Sequence, residues 1–305
     1  YKRQAYGSEF SYNYPRNKEE KNLRNTARKG QTKHMDINQV ITGELGVKRW
    51  QVDAAVKLID EGNTIPFIAR YRKEVTGTLD DAQLRTLHER LMYLRNLEEK
   101  KEQVLASIEE QGKLTEELKK QILAAETMVV VEDLYRPYRP KRRTRAMIAK
   151  EKGLEPLAAL ITLQKAEKPI EVYAEEYVNP EKEVKSVKEA IDGAKDIIAE
   201  SVSDEADYRS WIRKATVQHG KVISQAKDEK AESVYEMYYD FEEPVTKLAG
   251  HRVLALNRGE KEKFLTVKIE APQDDILRYL EKKMLHSDNP HTTPILKEVA
   301  EDSYK

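Results

Sequence analysis

From Met35 onward, apolar residues recur every three or four positions over most of the chain, the spacing of helices that bury one face. Ile37, Val40 and Ile41 share one such face; Val52, Ala55, Val56 and Ile59 share another, which Gly62 ends as a C-terminal cap. Thr78 with Asp81 forms a capping-box-like start to a long helix. Its seam runs through Leu84, Leu87, Leu91 and Leu94 and resumes at Leu105 and Ile108. Glu98 and Lys101 interrupt that seam, which predicts packing on a neighbour rather than a free coiled coil. Gly112 ends this helix and Thr115 caps the next, which contains Leu118, Ile122 and Val129, so the pair reads as an antiparallel hairpin.

Further on, Leu154 to Leu163 is a short helix with Pro156 near its start, where proline is tolerated. Asn179-Pro180 breaks the chain. Val184, Val187, Ile191, Ala194, Ile198 and Val202 then define an amphipathic helix, and a second one restarts at Ser203-Asp204, carries Trp211 and Ile212, and closes at His219-Gly220. Two helices joined by a tight polar turn form a helix-turn-helix arrangement over about 185–220. Past Phe241 the texture changes. Arg252 to Leu256, the turn Asn257-Arg258-Gly259-Glu260 and Phe264 to Ile269 read as a β-hairpin, followed by a helix from Asp274 to Leu285 and a tail with little periodicity until Pro294. A lone hairpin is only marginally stable in water, so this one is expected to begin an α/β domain that the sequence leaves incomplete. The resulting expectation is a mainly α protein in which 35–240 form multi-helix domains with a helix-turn-helix element. Residues 241–305 add a short β-hairpin region. Residues 1–34 lack periodicity and read as a disordered basic leader or as non-native upstream sequence.

Composition narrows the function. Charged residues make up 35% of the chain and hydrophobic ones 39%, with 4 Phe and 2 Trp, a balance that suits helical bundles with wide solvated faces. Cysteine is absent, which removes disulfides and thiolate metal sites and fits a reducing cytoplasm. No apolar run approaches the roughly 20 residues that span a bilayer, so the expected location is cytoplasmic, with no membrane partner. The formal net charge is zero, but the charge is unevenly placed. Residues 1–34 hold nine Lys/Arg against three Asp/Glu, and Tyr135 to Met147 carries six basic residues and no acid. A local patch of that kind can bind phosphate in a neutral molecule.

The segment Tyr135-Arg136-Pro137-Tyr138-Arg139-Pro140-Lys141-Arg142-Arg143-Thr144-Arg145 is therefore the main candidate site. Its two prolines are expected to hold the backbone extended, its arginines match phosphate with a planar fork, and its tyrosines can stack on unpaired bases. The alternative is that the arginines fold back on acidic helices such as Glu116-Glu117 or Glu132-Asp133. Thr64 to Glu74 is the second candidate. Phe67 and Ile68 should bury, leaving Arg70, Arg72 and Lys73 projecting together, either for salt bridges or for contacts to a nucleic-acid backbone. Arg209, Arg213 and Lys214, with Gln218, could read bases from the helix-turn-helix, although plain packing is the commoner use of such a pair. No catalytic motif occurs, and His286, Asp288 and His291 lie in a polar loop that reads as surface rather than as a metal site.

Several segments also resemble the Tex family of bacterial transcription accessory proteins: TIPFIARYRKEVTGTLD (64–80), EDLYRPYRPKRRTRAMIAKEKGLEPLA (132–158), YVNPEKEV (177–184) and HRVLALNRGEKE (251–262). They occur in the family's order, and the resemblance runs from Met35 to about the end. It implies the family's N-terminal region, truncated before a YqgF-like domain, a helix-hairpin-helix element and an OB-fold. The expected function is non-catalytic binding of RNA or DNA, single-stranded or duplex, with little sequence preference, in transcription. The contacts would be Arg136, Tyr138, Arg139, Lys141, Arg142, Arg143 and Arg145, helped by Arg70, Arg72 and Lys73. No metal, cofactor or small-molecule substrate is expected. The alternative function is a protein-interaction scaffold that docks other domains of the same chain or the transcription machinery.

Overall fold

The computed structural model describes residues 35–140 and 143–304, which form two compact units. The first covers residues 35–98. It begins with α1 (Ile37–Leu45), capped by the Asp36 carboxylate on the Gln39 amide at 3.1 Å, and α2 (Arg49–Asp60), which ends at Gly62 as its sequence requires. Two short helices follow, α3 (Ile65–Tyr71), with Pro66 in its first turn, and α4 (Lys73–Thr76). The long α5 (Asp81–Glu110) starts in this unit and ends in the second. Its capping box lies two residues later than expected. Asp80 and Gln83 exchange side-chain-to-backbone bonds at 2.7 and 3.1 Å, while Thr78 sits at φ +66° in the turn before it. Ile41, Val52, Ala55, Ile68, Leu79, Leu84 and Leu87 are fully or almost fully buried in this unit.

The second unit, from Glu99, contains the end of α5 and then α6 (Glu116–Ala124), α7 (Met128–Tyr135), α8 (Arg145–Glu151), α9 (Glu155–Leu163) and α10 (Ile170–Ala174). Lys101 does not interrupt the α5 seam; it continues it. It is fully buried, and its ammonium donates to the Leu123 carbonyl at 3.0 Å. That bond joins residues equally far from the Gly112 turn and so ties α5 and α6 antiparallel. The long α11 (Val187–Asp204), capped by Ser186, is joined to α12 (Ala206–His219) through the single residue Glu205. The main core lies around α11, where Leu154, Leu157, Ile161, Ala190, Ala194, Ile276, Leu280, Leu296 and Val299 are buried together.

The β region differs from the expected hairpin. Three strands, β1 (Lys221–Ala226), β2 (Asp240–Pro244) and β3 (Leu265–Glu270), form an antiparallel sheet in the order β2-β1-β3. In register, Ser224 on the central strand faces Phe241 and Val267. Between β2 and β3 runs α13 (Gly250–Lys261), so the segment from Arg252 to Leu256 is helical and β3 pairs with β1 instead. The physical reason is packing. As a helix this segment turns Leu256 and Gly259 together onto a small core with Val222, Tyr235, Tyr238 and Leu265. A Cβ at Gly259 would lie 2.6 Å from Leu265, so this glycine serves close approach rather than a turn. The chain closes with α14 (Gln273–Met284) and α15 (Thr293–Tyr304). No helix among the described residues is long and apolar enough to cross a membrane.

One turn in the first unit gives a direct test of this packing. Gly77 has φ +62°, and a Cβ there would stand 2.2 Å from the Trp50 ring, whose neighbour Gln51 donates to the Gly77 carbonyl at 2.8 Å. Gly77→Ala is expected to cost about 2 kcal/mol or more in urea unfolding, combining left-handed backbone strain with overpacking. Gly46, at φ +63° with nothing within 4 Å, isolates the backbone part. Gly46→Ala should cost about 1 kcal/mol, and equal losses at the two sites would remove Trp50 from the explanation.

Candidate nucleic-acid interface

The principal basic segment leaves α7, which Thr127 caps, and turns at once through a short 3-10 helix at Arg136–Tyr138. The extended backbone expected here is therefore not formed at its start. Pro137 occupies a first-turn position where no amide is required, and the Arg139 amide closes the turn on the Tyr135 carbonyl at 3.0 Å. Thr144 then caps α8, so Arg145 is already helical. Lys141 and Arg142 lie outside the described residues.

Each described arginine of the segment faces a carboxylate. Arg136 donates to Asp204, buried at the end of α11, at 2.8 Å. Arg143 donates to Glu151 at 2.7 Å, and Arg145 lies 3.3 Å from Asp196 and 3.2 Å from Asp302. Burial raises the Asp196 carboxyl above its ordinary value, against the pull of Arg145. Arg139 is the least engaged, 3.9 Å from a Glu132 carboxylate that Lys100 already holds at 2.6 Å. Among the described residues, Glu132 is the one of the acidic residues expected to receive these arginines that does so. Arg139, Arg143 and Arg145 nevertheless stay exposed, and exposed pairs contribute only about 0–1 kcal/mol each, so a phosphate can exchange for the carboxylate. Tyr138 is half-buried, and its carbonyl accepts from Gln111 at 2.9 Å.

Beside this segment opens a cavity of about 650 Å³ that adds two cations the sequence reading passed over, Lys113 and Lys150. Lys113 follows the Gly112 turn and Lys150 lies in α8, each far in sequence from Arg139. The same cavity is also lined by the carboxylates Glu155, Glu200, Asp204 and Glu205.

The basic face of α12 is otherwise committed. Arg209 and Arg213, one turn apart, donate to the two oxygens of Asp133 at 2.9 and 2.8 Å, and the Asp133 side chain is 7% exposed. Two of the side chains that could have read bases are thus turned inward onto α7, which is the packing role; Lys214 and Gln218 remain exposed.

In the first unit, Ile68 is buried and Phe67 half-buried, while Arg70, Arg72 and Lys73 are exposed at the junction of α3 and α4. The Arg72 guanidinium lies 5.1 Å from the Phe67 ring centre, and Phe67 packs on Tyr71 at 5.3 Å. Among the described residues none of the three cations has a carboxylate within 4 Å. Four other arginines of the same unit do: Arg49 binds Asp36 and Asp53, Arg85 binds Asp81, Arg90 binds Glu44 and Arg95 binds Asp60. The salt-bridge alternative for this cluster is therefore not realised, and its cations stay available to an anion. The His286–His291 loop is organised by amides: Gln164 accepts from His286 and Ser287, and Asn289 from His291 and Thr292.

Asp133 is the group whose loss should matter most to stability. Asp133→Asn is expected to cost about 2–3 kcal/mol in urea unfolding, below the full figure for a buried pair because the arginines are partly exposed. In a cycle with Arg209→Met, the double variant should lose markedly less than the sum of the singles; additive losses would show that the pair is not coupled.

Residues 35–109 match the Tex-like protein N-terminal domain, and residues 164–293 match the Tex central region-like domain. Protein YdcI of Bacillus subtilis is 48% identical over 272 residues, which cover 88% of this chain and 38% of the relative. Transcriptional accessory protein Tex of Neisseria gonorrhoeae is 44% identical over 246 residues, 79% of this chain and 32% of the relative. The human S1 RNA-binding domain-containing protein 1 is 30% identical over 257 residues, 80% of this chain and 25% of that protein. The chain spans well under half the length of each of these relatives. The order of elements, the quoted segments and both domain matches agree: the chain belongs to the Tex family, over its N-terminal and central regions.

Proposed function

We propose that this chain is a non-catalytic, nucleic-acid-binding part of a transcription accessory factor, and that it holds RNA or DNA by the phosphate backbone with little sequence preference. The observation that carries this reading is the unpaired cluster Arg70, Arg72 and Lys73, in a unit whose other arginines are all matched with carboxylates. Unpaired, exposed guanidinium groups beside an exposed tyrosine offer phosphate contact and base stacking together. Arg139, Arg143 and Arg145 add exchangeable cations, with Arg136, Tyr138, Lys141 and Arg142 in the same segment. The names of two relatives, a transcriptional accessory protein and an S1 RNA-binding domain protein, support the same class of role. Base reading by α12 is not part of the proposal, since Arg209 and Arg213 are held by Asp133.

Fluorescence anisotropy with a labelled single strand, titrated with salt, tests it. Each phosphate contact adds about 0.7 to the slope of log affinity against log salt for a single strand. Replacing Arg70, Arg72 and Lys73 by Gln should lower that slope by about 2, and so should replacing Arg139, Arg143 and Arg145. Binding that is absent at low salt, or unchanged in both variants, would sink the reading.

A further inference from the structure

The most exposed large hydrophobic side chains among the described residues are Val234, Met237 and Leu254, at 85, 74 and 73% of their full surface. They come from two different segments and converge on one open groove of about 1070 Å³, walled by α13 and by residues 234–238. Scattered single apolar side chains are ordinary on a surface, but convergence of this kind marks an interaction site.

The floor of the groove is fixed. Tyr235 and Tyr238 are buried beneath it, and the Tyr235 hydroxyl donates to Glu262 at 2.9 Å. On α13, residues 251, 254, 255, 258 and 261 recur at three- and four-residue spacing and so present one continuous stripe along the helix. That stripe is apolar at Leu254 and Ala255 and cationic at Arg258 and Lys261. The groove holds one carboxylate, Glu262, which is already engaged by Tyr235 and lies 3.8 Å from Arg258. Lys261 has no carboxylate within 4 Å among the described residues. The twelve residues of α13 run about 18 Å, room for about three turns of a second helix.

We propose that this groove docks an acidic amphipathic helix of a partner protein, with aliphatic anchors seated between Val234, Met237 and Leu254 and carboxylates against Arg258 and Lys261. Helix-in-groove recognition uses this pairing of apolar anchors with a charged margin. A nucleic acid fits the groove poorly. Its centre is aliphatic, and the tyrosine rings lie beneath the surface, where no base can stack on them. The groove shares no residue with the proposed nucleic-acid interface, so either assignment can fail without the other.

The probe is a labelled helical peptide of about 16 residues, with leucines at i, i+4, i+7 and i+11 and glutamates on its remaining face, measured by anisotropy. A matched peptide with lysines in place of the glutamates is the charge control. The acidic peptide should bind, Leu254→Glu and Met237→Glu should each weaken it at least about tenfold, and the lysine peptide should bind at least about tenfold more weakly. Both substitutions lie at exposed positions, so thermal unfolding should be unchanged, and oligonucleotide binding should persist in both variants. Failure of the acidic peptide to bind, or binding by both variants as tight as that of the unsubstituted protein, overturns the proposal. So does self-association in sedimentation velocity that Leu254→Glu abolishes, which would make a second copy the occupant. Displacement of the peptide by a single-stranded oligonucleotide would likewise reassign the groove to nucleic acid.

Discussion

Asp133 is a carboxylate almost wholly removed from water, and much of the second unit is arranged around keeping it neutralised. A lone buried carboxylate would cost several kcal/mol, and the chain meets that cost with two arginines one turn apart on α12. The two bonds tie α7 to α12. Three residues after Asp133 the relation reverses, as Arg136 reaches back to buried Asp204 at the end of α11. The reciprocal pairs fix where the basic segment begins and at which residue its arginines turn outward. Arg136 is held in the clasp, and Arg139, 3.9 Å from Glu132, is the first that is only loosely engaged. Such pairs add little net stability compared with apolar packing, but removing one partner strands the buried carboxylate. Here they fix the position at which the basic segment starts.

The same two pairs show why the site was harder to read than the helices. Amphipathic periodicity and caps are local, so the seams through Val52 and Val56, Leu84 to Leu94 and Val187 to Val202 could be seen in the sequence, as could the stops at Gly62 and Gly112. Charge pairing is not local. Arg136 and Asp204 are 68 residues apart, and Arg209 and Asp133 are 76 apart. A run of arginines looks the same on paper whether its partners are phosphates or distant carboxylates. The two clusters consequently changed rank. The long basic segment turned out to be largely matched, and the shorter 70–73 cluster unmatched. Lys101 is a related case, a charge that seemed to break an apolar seam but satisfies a carbonyl inside it.

The segment from Gly250 to Lys261 failed for another reason. A short apolar run next to Asn-Arg-Gly fits both a strand entering a turn and a buried helix face, and periodicity alone does not choose between them. The choice is made by tertiary packing. Gly259 lets Leu265 and Tyr235 approach the helix backbone, and Leu256 completes that core. Leu254 is the residue this solution leaves out. In the hairpin reading it would have been one more strand residue; on the helix it is stranded in solvent beside Val234 and Met237. The misread element and the unassigned surface have the same origin.

Zero net charge remains to be reconciled with the polyanionic ligand proposed above, and screening does so. At physiological ionic strength the Debye length is about 8 Å, so a phosphate approaching Arg70, Arg72 and Lys73 responds to those cations and hardly to acids on distant helices. Long-range attraction is forfeited, and with it fast steering, but contact affinity is not. The clusters then differ in what contact requires. Arg143 and Arg145 must release Glu151, Asp196 and Asp302, which lowers their yield by about 0–1 kcal/mol for each pair broken. Arg70, Arg72 and Lys73 have no carboxylate to release. If the proposed binding holds, cations without carboxylate partners are therefore where a phosphate gains most per contact, and the matched arginines after Tyr138 gain less.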